Sequence, residues 1–175
     1  MARLGHLTRR FLGSLRPGGP PDAERIWAES QLLSDERKIW CRLSGPDRRH
    51  SAAVARRVAD ALGTSATRPV LAAALLHDCG KTVSGLRTPG RVVATVLAAT
   101  TVRTDDDAER WENSRSRWRR SIGAYRRHPT LGAAMLRAAG SDPLTVSWTE
   151  EHHLPRDRWT IDPVVAVALH DADDD

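Results

Sequence analysis

Prolines stand at the head of helically patterned segments, and this arrangement constrains the fold more than any other feature of the chain. Pro69, Pro129, Pro143 and Pro163 each open a stretch with apolar residues at helical spacing. Proline is favoured in the first turn of a helix, where its missing N–H has no partner to lose. The chain also holds one Phe, one Tyr and few of the β-branched or aromatic runs that build strands. We therefore predict an all-α fold, a bundle of about six to eight helices.

Turn residues and helical spacing divide the chain into segments. The sequence "RPGGPP" interrupts any helix near residue 20, so we predict a basic tail at residues 1–20 and one domain at residues 21–175. The predicted helices span 22–33, 34–43, 47–62, 69–79, 89–101, 105–126 and 129–140, and two more begin at Pro143 and Pro163. The charged segment 105–126 fits either one long helix or two pieces.

Composition narrows the cellular setting and the class of partner. No apolar run approaches the roughly 18 residues that a membrane span requires, and the N-terminal residues lack the apolar core of a signal peptide, so we expect a soluble cytoplasmic protein. Cys41 and Cys79 lie outside any CxxC pattern, which argues against a disulfide framework and a thiolate zinc site.

The net charge of +5 is spread along the chain, so nucleic acid is not the expected partner. The tail could form an amphipathic helix that touches lipid or nucleic acid, but a solvated tail is favoured.

Four histidines are predicted to point toward the core. Three of them lie on the apolar stripes of their own predicted helices. His50 shares a stripe with Val54 and Val58, His77 with Val70, Ala73 and Ala74, and His152 with Leu144 and Trp148. His128 precedes Pro129 at a helix entrance, from which its side chain can reach inward. One such histidine is most simply a hydrogen-bonded core residue, but several inward imidazoles beside a carboxylate favour a metal site.

The adjacent residues His77 and Asp78 close an apolar helix, where unpaired polar groups are costly. Imidazoles and carboxylates without a thiol match a hard or borderline divalent cation. We predict one or two such ions, and the residues do not distinguish Mn, Fe, Ni, Zn, Co or Mg.

Lys81 follows the His-Asp pair. Of the 27 Lys and Arg residues only Lys38 and Lys81 are lysines, which indicates that a compact charge is needed at position 81. The chain has no HExxH, Walker A or GxSxG motif, so zincin, P-loop and α/β-hydrolase functions are not favoured.

The order of these residues resembles the HD-domain superfamily of metal-dependent phosphohydrolases over residues 45–175. That pattern is an isolated His, a His-Asp pair, two further His and a distant Asp. Here it falls on His50, on "HDCGK", on "HPTLG", on "TEEHH" and on "ALHDADDD". The resemblance implies the metal ligands His50, His77, Asp78, His128, His152 and Asp173, with His153 and Asp171 as the alternatives at the two ambiguous places.

The resemblance also implies an activity, the hydrolysis of a phosphoester of nucleotide type by metal-bound hydroxide. In this interpretation Asp78 bridges two metals and acts in catalysis together with Lys81, which would neutralise charge on the phosphoryl oxygens. The "GYP" signature of the cyclic-di-GMP phosphodiesterase branch is absent after "EEHHLPRDRW", which disfavours that substrate. Substrate-binding residues are not identified. Two alternatives stay open, a diiron oxygenase and a non-catalytic module that binds a nucleotide or a protein.

Overall fold

A computed structural model describes residues 18–86 and 104–174, and within these ranges it holds nine α-helices and no β-strand. The helices are α1 (Asp22–Ser30), α2 (Ser34–Cys41), α3 (Gly45–Leu62), α4 (Arg68–Leu76), α5 (Asp105–Glu112), α6 (Arg117–Arg126), α7 (His128–Ala138), α8 (Pro143–Glu151) and α9 (Pro163–Asp174). The predicted all-α fold is confirmed. The helices outnumber the expected six to eight because residues 105–126 form two pieces, α5 and α6, which are separated by a break at residues 113–116.

Parts of the prediction fall outside the described residues. These parts are residues 1–17 of the predicted tail and the whole of the predicted helix 89–101. Among the described helices, none is both long and apolar enough to cross a membrane.

Helix α4 forms the centre of the bundle. Its residues from Val70 to Leu76 are all buried, because a helix that is apolar on every side has no face to present to water. Helices α3 and α8 make its most extensive contacts, and α2 and α9 also pack on it. Burial of a leucine side chain such as Leu75 or Leu76 contributes about 1.5–3 kcal/mol, so this helix is a large part of the core.

The remaining helices pack around this centre in pairs. Helix α9 lies against α3, and α7 lies against α8. Helices α5 and α6 pair around a small separate cluster of Ala108 and Ile122, onto which Leu86, Trp111 and Tyr125 pack. Helix α6 then leads directly into α7, which places Tyr125 beside His128 with their ring centroids 5.7 Å apart.

The end of α4 differs from the prediction and determines where its polar residues lie. The helix ends at Leu76 rather than at residue 79, His77 is its C-cap, and a 3₁₀ turn follows at Cys79–Thr82. Asp78 takes φ −99° and ψ 8°, in the bridge region of backbone space that active-site residues often occupy. The tighter turn thus presents Asp78 and Lys81 on the same side, next to the start of α7.

Gly80 is required for this close approach. A Cβ built on Gly80 would lie 1.9 Å from the His128 carbonyl oxygen and 2.7 Å from the Gly132 backbone nitrogen. Both distances are shorter than any real contact, so the 3₁₀ turn and α7 can touch only where no side chain intervenes. This contact sets the separation between Asp78, which precedes the turn, and His128, which begins α7.

We predict that Gly80→Ala lowers the free energy of unfolding by about 3 kcal/mol, because backbone must move to admit the methyl group. Denaturant unfolding would measure the change. Gly19→Ala is the matched control, since a Cβ at Gly19 would lie 3.6 Å from the nearest Arg48 atom, an ordinary contact. It should change the free energy by less than about 0.5 kcal/mol. Equal stability of the two variants would contradict the proposed role of Gly80.

Candidate metal centre

Three buried histidines are oriented by the same local hydrogen bond. In each, Nδ1 donates to the backbone carbonyl oxygen three residues earlier, and the pairs are His77 with Ala74 (2.9 Å), His128 with Tyr125 (2.7 Å) and His152 with Thr149 (3.0 Å). A carbonyl oxygen can only accept, so Nδ1 carries the hydrogen. In the neutral imidazole Nε2 therefore keeps its lone pair, which is the form that binds a metal.

The Nε2 atoms of these histidines converge on the carboxylate of Asp78. His77 Nε2 lies 3.4 Å from Oδ2 of Asp78. His128 Nε2 lies 3.4 Å, and His152 Nε2 3.7 Å, from the other oxygen, Oδ1. The Asp78 carboxylate thus stands between His77 on one side and the histidines of α7 and α8 on the other.

A second carboxylate comes from the end of α9. Oδ1 of Asp173 lies 2.8 Å from His50 Nε2 and 3.6 Å from His77 Nε2. His50 is in the second turn of α3, 123 residues before Asp173 in the sequence. The packing of α9 against α3 therefore brings the two residues together.

The site divides into two clusters of candidate ligands. The first cluster contains His50, His77 and Asp173, and the second contains Asp78, His128, His152 and His153; within each, one ligand atom per residue lies within 4.8 Å of all the others. Asp78 connects the clusters, because its Oδ2 faces His77 of the first. Each cluster thus offers imidazole and carboxylate atoms that could hold a divalent cation.

Three buried polar atoms in these clusters have no hydrogen-bond partner in the described part of the chain: His77 Nε2, Asp78 Oδ1 and His152 Nε2. An unsatisfied buried polar group costs about 1–3 kcal/mol. A divalent cation would satisfy all three, because neutral imidazole nitrogen and ionised carboxylate oxygen are suitable ligands for the first-row divalent metals. The donor set therefore fits a divalent metal ion.

The charges of the clusters favour a cation as well. Burial would raise the pKa of the Asp78 carboxyl, but Lys81 and His77 hold it well below its usual range. Burial likewise opposes the ionisation of Asp173, yet the His77 and His50 imidazoles keep the pKa of that carboxyl below its usual value. For His77, burial lowers the pKa, but the carboxylates of Asp78 and Asp173 outweigh burial and raise it to about 9. The two carboxylates thus require positive charge, which a proton on His77 supplies when no metal is bound.

Lys81 lies on the bridging carboxylate. Its Nζ donates to Oδ2 of Asp78 at 2.5 Å, and its side chain is 19% exposed. Burial lowers the pKa of this ammonium group, but Asp78 more than compensates, so the pKa is raised and Lys81 stays charged. The sequence indicated that a compact charge is needed here but did not reveal its contact with Asp78.

At the two ambiguous places the structure separates Asp171 from Asp173 but brings His152 and His153 together. The side chain of Asp171 is 60% exposed and lies 3.2 Å from an Arg156 nitrogen, whereas Asp173 lies in the first cluster. His152 and His153 both belong to the second cluster, and His153 Nε2 is 3.2 Å from His128 Nε2. Adjacent residues of a helix normally face different ways. Here both contribute because they lie at and just after the C-cap of α8, where the helix ends.

A cavity of about 260 Å³ opens onto both clusters. Its wall includes His77, His152, His153 and Asp173, and also His170, which the predicted site did not include. The signal for His170 was present in the sequence, since His170 and Asp171 form a second His-Asp pair. A helical pattern that is apolar on all sides could not show which way His170 faces.

We predict that Asp173→Asn weakens Mn²⁺ binding by more than about tenfold, because it removes an anionic ligand atom of the first cluster. Isothermal titration of chelator-treated protein would measure the affinity. Asp171→Asn is the matched control and should bind Mn²⁺ as the wild type does, since Asp171 pairs with Arg156 at the surface. A larger loss in Asp171→Asn than in Asp173→Asn would reverse the assignment.

The raised pKa of His77 predicts how the stability of metal-free protein depends on pH. Since this pKa is about 9 in the folded state and about 6.5 in an unfolded chain, protonation of His77 stabilises the fold fully below pH 6.5. We expect the free energy of unfolding, measured in EDTA, to fall as the pH rises from 6.5 to 9. His77→Gln has no titrating group at this position and should lack this fall. A wild-type free energy that stays constant or increases over this range would disprove the prediction.

Comparison with known families agrees with this geometry. The model of the HD domain matches residues 49–174, which is more than half of the chain and includes both clusters. No curated protein matches the chain, and no solved structure does. Members of the HD superfamily are largely metal-dependent hydrolases, and the donor atoms found here fit that chemistry. The chain belongs to the HD-domain family.

Proposed function

We propose that this protein is a divalent-metal-dependent phosphohydrolase that hydrolyses a phosphoester of nucleotide type. The observation that carries the proposal is the convergence of buried imidazole nitrogens on the Asp78 carboxylate, with His77 Nε2, Asp78 Oδ1 and His152 Nε2 lacking a partner among the described residues. A buried histidine with only a packing role would have both of its ring nitrogens hydrogen-bonded. The open cavity beside these atoms supports a role with a bound ligand.

In this proposal the first cluster would hold one cation and the second cluster another, with Asp78 as the residue that connects the two clusters. A divalent ion in such a site lowers the pKa of a coordinated water to about 7 and so supplies a nucleophile at neutral pH. The protein contributes orientation, because the Nδ1 hydrogen bonds of His77, His128 and His152 fix the direction of each ring. Ligands held in this way need no rearrangement when substrate binds.

Lys81 has two tasks in this proposal. Burial would raise the pKa of Asp78 in the metal-free protein, and the contact of Lys81 with Oδ2 lowers it. An ammonium group has three donors, so Lys81 can also stabilise the negative charge that develops on phosphoryl oxygens. The position of Lys81 in the 3₁₀ turn, three residues after Asp78, brings both tasks within reach of one side chain.

A substrate screen tests this proposal directly. Chelator-treated protein would be reloaded separately with Mn, Fe, Ni, Zn, Co and Mg and incubated with nucleoside monophosphates, dinucleoside polyphosphates and cyclic dinucleotides, with released phosphate or nucleotide as the readout. Metal-dependent product release is the expected result. Consumption of oxygen by the iron-loaded protein would instead indicate a diiron oxygenase. Metal binding without any turnover would indicate a binding module, and either result would refute the proposed hydrolysis.

We predict that Asp78→Ala loses both the bound metal and the hydrolysis, because the bridging carboxylate is removed. Lys81→Ala should keep its metal, since it removes no ligand, but should lower kcat by about 100-fold. Metal content by elemental analysis and steady-state rates would measure the two effects. An Asp78→Ala variant that keeps its metal and rate would refute the role of Asp78, and loss of metal in Lys81→Ala would make Lys81 structural.

A further inference from the structure

The second His-Asp pair of the sequence lies beside the candidate metal centre. His170 is three residues before Asp173 on α9, and residues three apart share a face of a helix. The ring of His170 lines the same cavity of about 260 Å³ as His77, His152 and Asp173. Its side chain is 29% exposed, so the imidazole is accessible to solvent and substrate. His170 belongs to neither cluster of candidate ligands in the described part of the chain.

Carboxylates hold one nitrogen of His170. Nδ1 lies 3.3 Å from Oδ1 of Asp171 and 3.7 Å from Oδ2 of Asp174. Trp159 supports the ring from one side, with the two ring centroids 5.3 Å apart. A carboxylate at one nitrogen of a histidine fixes the tautomer and the orientation of the ring, which leaves the other nitrogen for proton transfer.

Three of the cluster histidines are poorly suited to supply a proton. Nδ1 of His77, His128 and His152 already donates to a backbone carbonyl. Their Nε2 atoms face the cation sites and carry no hydrogen when a metal is bound. Hydrolysis nevertheless needs a proton for the departing oxygen of the ester, unless that oxygen is stable as an anion.

We propose that His170 is the general acid of this hydrolysis, an inference that rests on the proposed function. As the oxygen of water bonds to phosphorus, the bond from phosphorus to the leaving oxygen breaks, and Nε2 of His170 gives its proton to that oxygen. The products are an alcohol and a phosphate. His170 then takes up a proton from solvent, which balances the one that the attacking water releases.

Leaving-group dependence tests the assignment. The metal-loaded wild type and His170→Gln would be compared on adenosine 5′-monophosphate and p-nitrophenyl phosphate, and on a dinucleotide and bis(p-nitrophenyl) phosphate. Nitrophenolate leaves without a proton, whereas an alkoxide does not. We expect His170→Gln to lose at least about 100-fold in kcat on the nucleotide ester and less than about fivefold on the matching nitrophenyl ester.

Two controls separate catalysis from structure. Val164→Gln places the same side chain on α9 at a position that is 68% exposed, and it should match the wild type on every ester. Metal content and melting temperature of His170→Gln should equal those of the wild type. An equal loss on both kinds of ester, or a loss of metal, would overturn the role of His170 while leaving the proposed function intact. A wild type that hydrolyses none of the four esters with any metal would refute both.

Discussion

The burial of the Asp78 carboxylate is the interaction on which the rest of the site depends. An ionised carboxylate removed from water is stable only beside compensating charge and hydrogen-bond donors. Lys81 supplies one such charge at 2.5 Å, and His77 supplies another when it is protonated. The remaining oxygen, Oδ1, faces the Nε2 lone pairs of His128 and His152, and a cation held by these atoms would supply further compensating charge. The helices that surround Asp78 are thus arranged around one negative charge, which explains why their polar residues lie at the centre of an otherwise apolar bundle.

Local and long-range geometry contribute differently to this arrangement. The directions of the His77, His128 and His152 imidazoles are local, because in each a carbonyl three residues earlier fixes Nδ1. The distances between imidazoles are not local, since they depend on how α3, α7, α8 and α9 pack around α4. Gly80 links the two levels, because the close contact of its backbone with α7 sets the position of Asp78 relative to His128. Rigid positioning of this kind is what a metal site requires.

Membership of the HD-domain family agrees with a candidate metal centre at these residues but leaves the substrate open, because function resides in the site rather than in the fold. The side chains around the site are therefore the informative features. They include His153 beside His128 in the second cluster, and His170, which lies in the wall of the cavity next to Asp171. Each adds an imidazole at a place where a ligand would lie.

Much of this structure could be predicted from the sequence, since helical periodicity and proline positions are local signals. They gave the helices around Pro69, Pro129, Pro143 and Pro163, and they indicated that several histidines face inward. The choice between Asp171 and Asp173 could not be made in this way, because "VVAVAL" is apolar on every side of its helix.

Only the tertiary structure separates the two residues, because the packing of α9 against α3 brings Asp173 to His50 and leaves Asp171 at the surface beside Arg156. It also revealed the contact of Lys81 with Asp78 and the presence of both His152 and His153 in one cluster. The physical reason is that periodicity records which face of a helix is buried. It carries no information about the distance between side chains that lie more than a hundred residues apart.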